Sequence, residues 1–373
     1  MNHVFLTGAT GVIGSALLAE LLTRQQTEIT ILIRAEDPKH LQRRGSNLLG
    51  KLGISSNEID RRVHLIAGDI TKHHLGIEGR QYETLQSKCT HIVHSAGKVK
   101  LNQSLEEARS NSLFTANQII ALAAGATNLK KADILSTIGV AGCMEGRVPE
   151  ERLTQQRQFH NTYEQSKAEA EELYWQAIED GLPISIHRPS MVVGDSTTGE
   201  VIQHQVFYYL CDFLSGRKTL GILPDFGTQM LDIIPVDYVV QCIVASLFSE
   251  EAIGRVFHLC NGPSDDLQIV EIQSSIRLSY SDFGKTCPKT LSLPASVFSR
   301  IAWIFAKIGP NSIRRAAGTV PFFLAYLGKR QIFEQRSTRQ WFTPLGINLP
   351  KPHEYLVPVI EHYLRRNEST QHA

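Results

Sequence analysis

Tyr163 and Lys167 stand four residues apart in YEQSK, so a helix through them sets both on one face. A phenol at its reference pKa of about 10 is a poor proton-transfer group at neutral pH. A nearby ammonium stabilises the phenolate, lowers that value and brings proton transfer towards the working range. YxxxK recurs by chance and carries little alone. Upstream, Ser136-Thr137 closes a strand-like run, Ala132 to Ser136. A hydroxyl there can hydrogen-bond an oxygen on which charge develops; either residue by itself also reads as a turn or helix cap. A strand-end hydroxyl, then YxxxK, then a further strand running into HRPS is more specific together than any one piece.

A second constellation opens the chain. TGATGVIG places Gly8, Gly11 and Gly14 between the strand-like HVFLT and a helical pattern from Ile13 to Leu22. Phosphate can approach a backbone that carries no side chains. The helix start, with Thr10, Val12 and Ile13 in the turn, offers unpaired N–H groups and a favourable dipole. The strand and helix on either side match a dinucleotide site; a purely structural glycine turn is the alternative. An acidic residue closing the second strand would bond a ribose 2′-hydroxyl and repel a 2′-phosphate. Here ILIRAED puts Arg34 at that place, and Arg44 follows ten residues later. Planar guanidinium donors suit a phosphate, so NADP(H) is expected over NAD(H), with Glu36 and Asp37 counting slightly against it. Asp69, in AGDI with Ile70 after it, is placed to meet the adenine; a helix cap is its other reading.

The elements that must position these residues alternate. Strand patterns at 3–7, 28–33, 63–67, 91–94, 132–136, 184–187 and 255–259 are separated by helical ones, notably Ser104 to Ala124 and Tyr163 to Glu179. That alternation predicts an α/β fold, a doubly wound parallel sheet whose ligands sit on the rim of strand C-terminal ends. The expected division is a nucleotide-binding body over 1–194, an irregular substrate-side insertion over 195–230, a return to the body over 231–264, and a smaller, mainly helical substrate lobe over 265–373. Apolar residues at 42% and charged residues at 20% supply a globular core. Lys plus Arg is 38 against 37 for Asp plus Glu, which argues against a nucleic-acid partner; the basic cluster Lys39 to Arg44 is too short to reverse this. Six scattered cysteines without a CxxC pair read as buried thiols of a reducing compartment. No leader and no apolar run of about 18 residues is evident, so a cytoplasmic location is expected. The fourteen histidines show no metal-ligand spacing, and no metal is expected.

TGATGVIG, HSAG at 94–97, STIGVAG at 136–142, YEQSK and RPSMVVG at 188–194 resemble, in order and spacing, the extended short-chain dehydrogenase/reductase superfamily over roughly residues 1–265. The resemblance implies a Rossmann fold and a catalytic Thr137, Tyr163 and Lys167, Thr137 lying five residues before Gly142. It adds Asn111 on the central helix, to hold a water linking Lys167 to solvent, and Ser95, Ala96 and Gly97 beside the cofactor. NTYEQSKAEAEELY, HRPSMVVGDSTTGE and DIIPVDYVV are similar to thioester reductases and fatty acyl reductases, the male-sterility-type NAD-binding domains. This implies hydride transfer to an acyl thioester, on coenzyme A or an acyl carrier protein, giving aldehyde or alcohol. Pro189 and the backbone at Met191 and Val192 would lie beside the nicotinamide. Because the chain starts on the reductase itself, a carrier is expected in trans. The rivals are an NADP-dependent dehydrogenase of a lipid, sterol or isoprenoid alcohol, and a redox-silent binding protein; a sugar-nucleotide epimerase is disfavoured by Arg34.

The C-terminal third carries a helical stripe of Val297, Phe298, Ile301, Ile304, Phe305 and Ile308. It reads as a helix packed on the core, an acyl-tunnel wall or an interfacial membrane helix. PFFLAYL at 321–327 adds apolar surface, and Arg314, Arg315, Lys329 and Arg330 read as a solvated basic face or a receiver for a carrier-arm phosphate.

Overall fold

The computed structural model describes residues 1–54, 61–97, 99–100, 103–262, 266–308 and 331–371. Seven strands form one parallel sheet: β1 (Asn2–Thr7), β2 (Thr27–Ile33), β3 (Val63–Ala67), β4 (His91–His94), β5 (Lys131–Leu135), β7 (Ile184–Pro189) and β12 (Val256–Leu259), in the order β12-β7-β5-β4-β1-β2-β3. Each expected strand is present within two residues. Strand alternation sends Val4 and Leu6 to one face and Phe5 to the other. On the first face lie α1 (Val12–Leu22), α2 (Pro38–Lys51) and α7 (Val236–Leu247). On the second lie α3 (Gly79–Lys88), α4 (Leu105–Gly125) and α5 (Thr162–Glu179). Both faces are thus covered, the doubly wound arrangement that a parallel sheet requires. Chain order reverses between β1 and β4, and Thr7 pairs with Leu32 on one side and His94 on the other. Leu135 pairs with His187 and Pro189 with Leu259, so the strand ends share a rim with a crevice at the reversal.

The segment 195–230, expected to be irregular, contains α6 (Val206–Leu214) and β9 (Ile222–Pro224). Phe207, Leu210, Cys211 and Leu214 are buried at helical spacing, and that burial stabilises a helix whose three consecutive aromatic residues, Phe207 to Tyr209, obscured the period. Beyond residue 265 come α8 (Ile269–Asp282), α9 (Ala295–Ile308), α10 (Arg336–Phe342) and α11 (Pro352–Gln371). Short strands return this region to the body. β13 (Leu267–Gln268) pairs with β10 (Met230–Leu231), β14 (Leu291–Leu293) with β9, and β15 (Gln331–Phe333) with β6 (Gly146–Val148). β8 (Met191–Val193) pairs with β11 (Ile233–Pro235). α11 adds Tyr355, Val359 and Ile360 to the first core, and the Tyr355 hydroxyl donates to the Ile233 carbonyl at 2.7 Å. Arg314, Arg315, Lys329, Arg330 and the run 321–327 lie outside the described residues. No helix among the described residues is long and apolar enough to cross a membrane.

One buried polar cluster ties the sheet to α7. Asp133 on β5 is fully buried, with Ser246 donating at 2.6 Å, His187 at 2.5 Å and the Lys131 ammonium at 3.5 Å. Burial alone would raise the Asp133 carboxyl; Lys131, His187 and Ser246 outweigh it and hold it below the usual range. Lys131 also donates to the Ser246 carbonyl at 2.8 Å. Removing one partner of a buried pair leaves the other uncompensated. Asp133→Ala is therefore expected to cost about 3–5 kcal/mol, read from the urea unfolding midpoint.

Candidate active site

The glycine turn is shaped by contact. Gly8 has φ +78°, and a Cβ there would lie 2.6 Å from the Ala96 nitrogen. A Cβ on Gly14 would lie 2.1 Å from the Gly8 carbonyl oxygen. Neither position has room for a side chain, and Gly8 alone needs the left-handed backbone. Gly11 is the N-cap of α1 and brings no side-chain acceptor to the helix start. The first N–H groups of α1 therefore remain available to an anion. Thr7 stitches the turn to the neighbouring strand. Its hydroxyl meets His94 Nδ1 at 2.8 Å and accepts from the Ala96 N–H at 3.3 Å. A turn with no space for a Cβ and uncapped donors above it fits a dinucleotide pyrophosphate.

From this turn a cleft of about 570 Å³ runs across the rim. Gly11, Val12 and Ile13 line one end, with Ser95, Ala96 and Gly97 beside them. Thr137, Tyr163 and Lys167 line its middle, and Pro189, Met191 and Val192 form another part of the wall. Gly8 and Thr10 in the turn and Gly14 in the first turn of α1 do not line the cleft; Thr10 is exposed and Gly14 buried. Arg34, Arg44, Asp69 and Ile70 do not line the cleft; Arg34 follows β2 and Asp69 follows β3, and the two make contact there. Arg34 is 68% exposed, its Nε 3.2 Å from the Asp69 carboxylate. Arg44 donates to the Arg34 carbonyl at 2.5 Å, which brings the two guanidinium-bearing residues together. Asp69 also accepts from the Thr71 N–H at 3.0 Å and hydroxyl at 2.7 Å. Burial would raise its carboxyl, but Thr71 and Arg34 prevail and keep it low. Asp69 thus closes a turn onto Thr71 and caps no helix, the short helical turn His73–Gly76 that follows having Lys72 before it. Ile70 accepts from the Thr115 hydroxyl at 3.1 Å.

The two adjacent hydroxyls separate clearly. Ser136 is buried and donates to Glu171 at 2.5 Å. Glu171 in turn holds the fully buried Arg188, whose Nη2 lies at 2.5 Å. Thr137 also lines the cleft, and its oxygen accepts from the Gly139 N–H at 3.1 Å. Asn161 caps α5 by accepting from the Glu164 N–H at 3.0 Å, which starts the helix just before Tyr163 and seats that residue at the rim. Lys167 follows one turn later and donates to the Leu135 carbonyl at 2.9 Å.

The proton affinities differ from the sequence expectation. Burial, and then the charge of Glu164, pushes the Tyr163 phenol up to about 12 instead of down. Burial pushes Lys167 down to about 8, only partly offset by Glu171. The ammonium is turned to a carbonyl and does not offset the desolvation of the phenol. Asn111 lies on α4 where that helix packs on α5, its Nδ2 3.5 Å from Gln103 Oε1.

Several cleft residues were missed from sequence. Glu164, spelled as filler inside YEQSK, is buried and accepts from the His160 N–H and Nδ1 at 3.0 Å each; its Oε1 has no hydrogen-bond partner. Asp232 is pushed up to about 6 by burial despite its hydrogen bonds, of which two, at 3.1 Å, come from the Asn261 N–H. Gln331 to Phe333 arrive through the β15–β6 pairing. No periodicity or spacing marks them, because chain segments nearly two hundred residues apart build this wall.

Residues 6–243 match the family model described as male sterility protein, NAD-binding. The chain is 31% identical over 270 residues to the non-canonical nonribosomal peptide synthetase FrzA of a Cladobotryum species, covering 69% of this chain and 26% of that protein. It is 31% identical over 265 residues to an isonitrile lipopeptide synthase of Streptomyces coeruleorubidus, covering 70% of this chain and 18% of that protein. The chain thus spans about a quarter or less of these relatives. Among solved structures, the terminal R domain from the myxalamid PKS-NRPS biosynthetic pathway superposes with a TM-score of 0.83 at 24% identity, over 99% of this chain and 91% of that one. The reductase domain of a Mycobacterium tuberculosis nonribosomal peptide synthetase gives 0.78 at 21%, over 99% and 92%.

Alanine at position 14 would press a methyl group into the Gly8 carbonyl. Gly14→Ala is expected to weaken dinucleotide binding by more than about tenfold, measured by nicotinamide fluorescence titration, with far-ultraviolet circular dichroism retained.

Proposed function

The chain belongs to the NAD-binding male sterility protein family, an oxidoreductase family of extended short-chain dehydrogenase/reductase type, and from that premise we propose that it is an NADPH-dependent thioester reductase. Its substrate is an acyl group on the pantetheine thiol of a carrier protein or coenzyme A, and its product is the aldehyde or, after a second reduction, the alcohol. The observation that carries the reading is the single cleft that joins the phosphate-binding turn to Thr137, Tyr163 and Lys167. The relatives named above, peptide and lipopeptide synthases, support the thioester.

Gly8, Gly11 and Gly14 would hold the pyrophosphate, Arg34 and Arg44 the 2′-phosphate, and Pro189, Met191 and Val192 would flank the nicotinamide. When bound, NADPH supplies the hydride. Thr137, its oxygen held by the Gly139 N–H, donates its proton towards the thioester oxygen. Tyr163 is protonated at neutral pH because its hydroxyl is pushed up to about 12. A protonated phenol is the form reduction needs, since the carbonyl oxygen takes up a proton as it gains charge. Lys167, at about 8, is mainly cationic at neutral pH and adds a positive field to that oxygen. Asn111 would keep a water between Lys167 and solvent. Collapse of the resulting hemithioacetal breaks the C–S bond and releases thiol and aldehyde.

Purified chain, given acyl-coenzyme A or acyl-carrier thioesters and NADPH, is expected to release free thiol as NADPH is oxidised. NADPH turnover on ketones without thiol release would favour the lipid dehydrogenase reading. Tyr163→Phe should lower kcat by about a hundredfold or more. The wild-type rate should be flat below pH 8 and fall above it, as Lys167 loses its proton; Tyr163, at about 12, contributes no loss there. A rate still rising at pH above 9 contradicts the need for a cationic Lys167.

Arg34→Ala should reduce NADPH affinity by about tenfold or more while leaving NADH affinity nearly unchanged. An unchanged ratio of the two dissociation constants removes Arg34 from the 2′-phosphate site.

A further inference from the structure

Charge is segregated along this chain. Between Phe283 and Phe333 there are four lysines, four arginines and no Asp or Glu, although the whole sequence carries 38 basic against 37 acidic residues. The described part of that stretch includes α9, whose two sides differ. Phe298 and Ala302 are buried against Phe213 of α6 and Ile222 of β9. The opposite side carries Val297, Arg300, Trp303, Ile304 and Lys307, all exposed, Trp303 at 60% and Ile304 at 46%. Lys307 Nζ sits 3.9 Å above the Trp303 ring. β14 and β9 are paired beside α9, and Leu291 and Leu220 there are 58% and 86% exposed. Of the acidic side chains on these neighbours, Asp212 is engaged by Lys218 and by the Tyr280 hydroxyl at 2.8 Å, and Asp225 accepts from the Gly227 N–H at 3.0 Å.

We propose that α9 and the adjoining Leu220 and Leu291 are a docking face for an anionic membrane surface. A tryptophan and aliphatic side chains on one helix face, with lysine and arginine among them and no acidic residue, combine the two attractions an interfacial helix uses. The apolar tips enter the headgroup boundary, while Arg300 and Lys307 meet lipid phosphates and carboxylates. The Lys307–Trp303 stack keeps an amphipathic ring and a cation together at the depth where both are favourable. At 14 residues α9 is too short to span, and lies flat by this reading. The placement bears on the enzyme. α6 packs against α9 through Phe213 and lines the cleft through Val206 and Leu210, so one helix separates the docking face from the cleft.

Flotation of the full chain with phosphatidylcholine vesicles, and with vesicles of phosphatidylcholine mixed with phosphatidylserine, tests the assignment. Binding is expected only to the mixed vesicles and should weaken as salt is raised. Arg300→Glu combined with Lys307→Glu should lower partitioning by more than about tenfold, with thiol-release activity on soluble acyl-coenzyme A and circular dichroism unchanged. Trp303 is exposed while Trp175 and Trp341 are partly buried, so a vesicle-induced blue shift of fluorescence should vanish in Trp303→Phe. Equal binding to both vesicle types, binding to neither, or undiminished binding by the doubly substituted chain overturns the proposal. Capture of an acidic acyl carrier protein by this face, without vesicle binding, assigns it to a protein partner and overturns it as well.

Discussion

The closeness of the Gly8 backbone to Ala96 is the constraint around which the rest is arranged. β1 and β4 are adjacent strands at the point where chain order reverses, and they stay paired to their C-terminal ends, Thr7 beside His94. The crevice between them exists only because the turn after β1 can lie against the loop after β4 with no Cβ between. Gly14 repeats the condition one helical turn on, pressing the start of α1 onto the Gly8 carbonyl. Thr7 then joins the two strands through His94 and the Ala96 N–H. The cleft that begins at this turn, with Thr137, Tyr163 and Lys167 along it, is built outward from this contact.

Burial decides the protonation of the donors. A sequence holding tyrosine and lysine one helical turn apart suggests mutual adjustment, with the ammonium making the phenol more acidic. The folded cleft instead desolvates both, and each moves towards its neutral form. For a reductase this is a serviceable outcome, since the phenol must hold a proton to give. The cost falls on Lys167, which stays cationic only while its environment and the pH permit. Behind the site, Arg188 and Glu171 form a buried pair that also takes up Ser136. Ser136 and Thr137 both line the cleft, and of the two it is Ser136 whose hydroxyl is committed to Glu171.

Much of this was legible in the residues. The seven strands were legible as short apolar and β-branched runs, because a parallel sheet covered on both faces buries nearly every strand residue. Arg34 and Arg44 were joined from the sequence as partners for one phosphate, and the structure places the Arg44 guanidinium on the Arg34 carbonyl. Less legible was the region 195–230, where adjacent aromatic residues hid the helical period of α6, and the small strand pairs, each only two or three residues long. Glu164 gave no signal because an acidic residue inside an exposed helical motif is ordinary; only burial against Gly139 and His160 makes it unusual.

The sequence by itself determined the Rossmann-type body, the glycine turn and the order hydroxyl, tyrosine, lysine, because these rest on local conformation and on short periods that a single segment expresses. Tertiary structure alone decided which hydroxyl a buried carboxylate takes up, where the phenol and ammonium sit on their proton scales, and how residues 331–333 come to wall a site begun at residue 11. Those outcomes depend on desolvation and on contacts between distant segments, and neither quantity is a property of any stretch of chain taken alone.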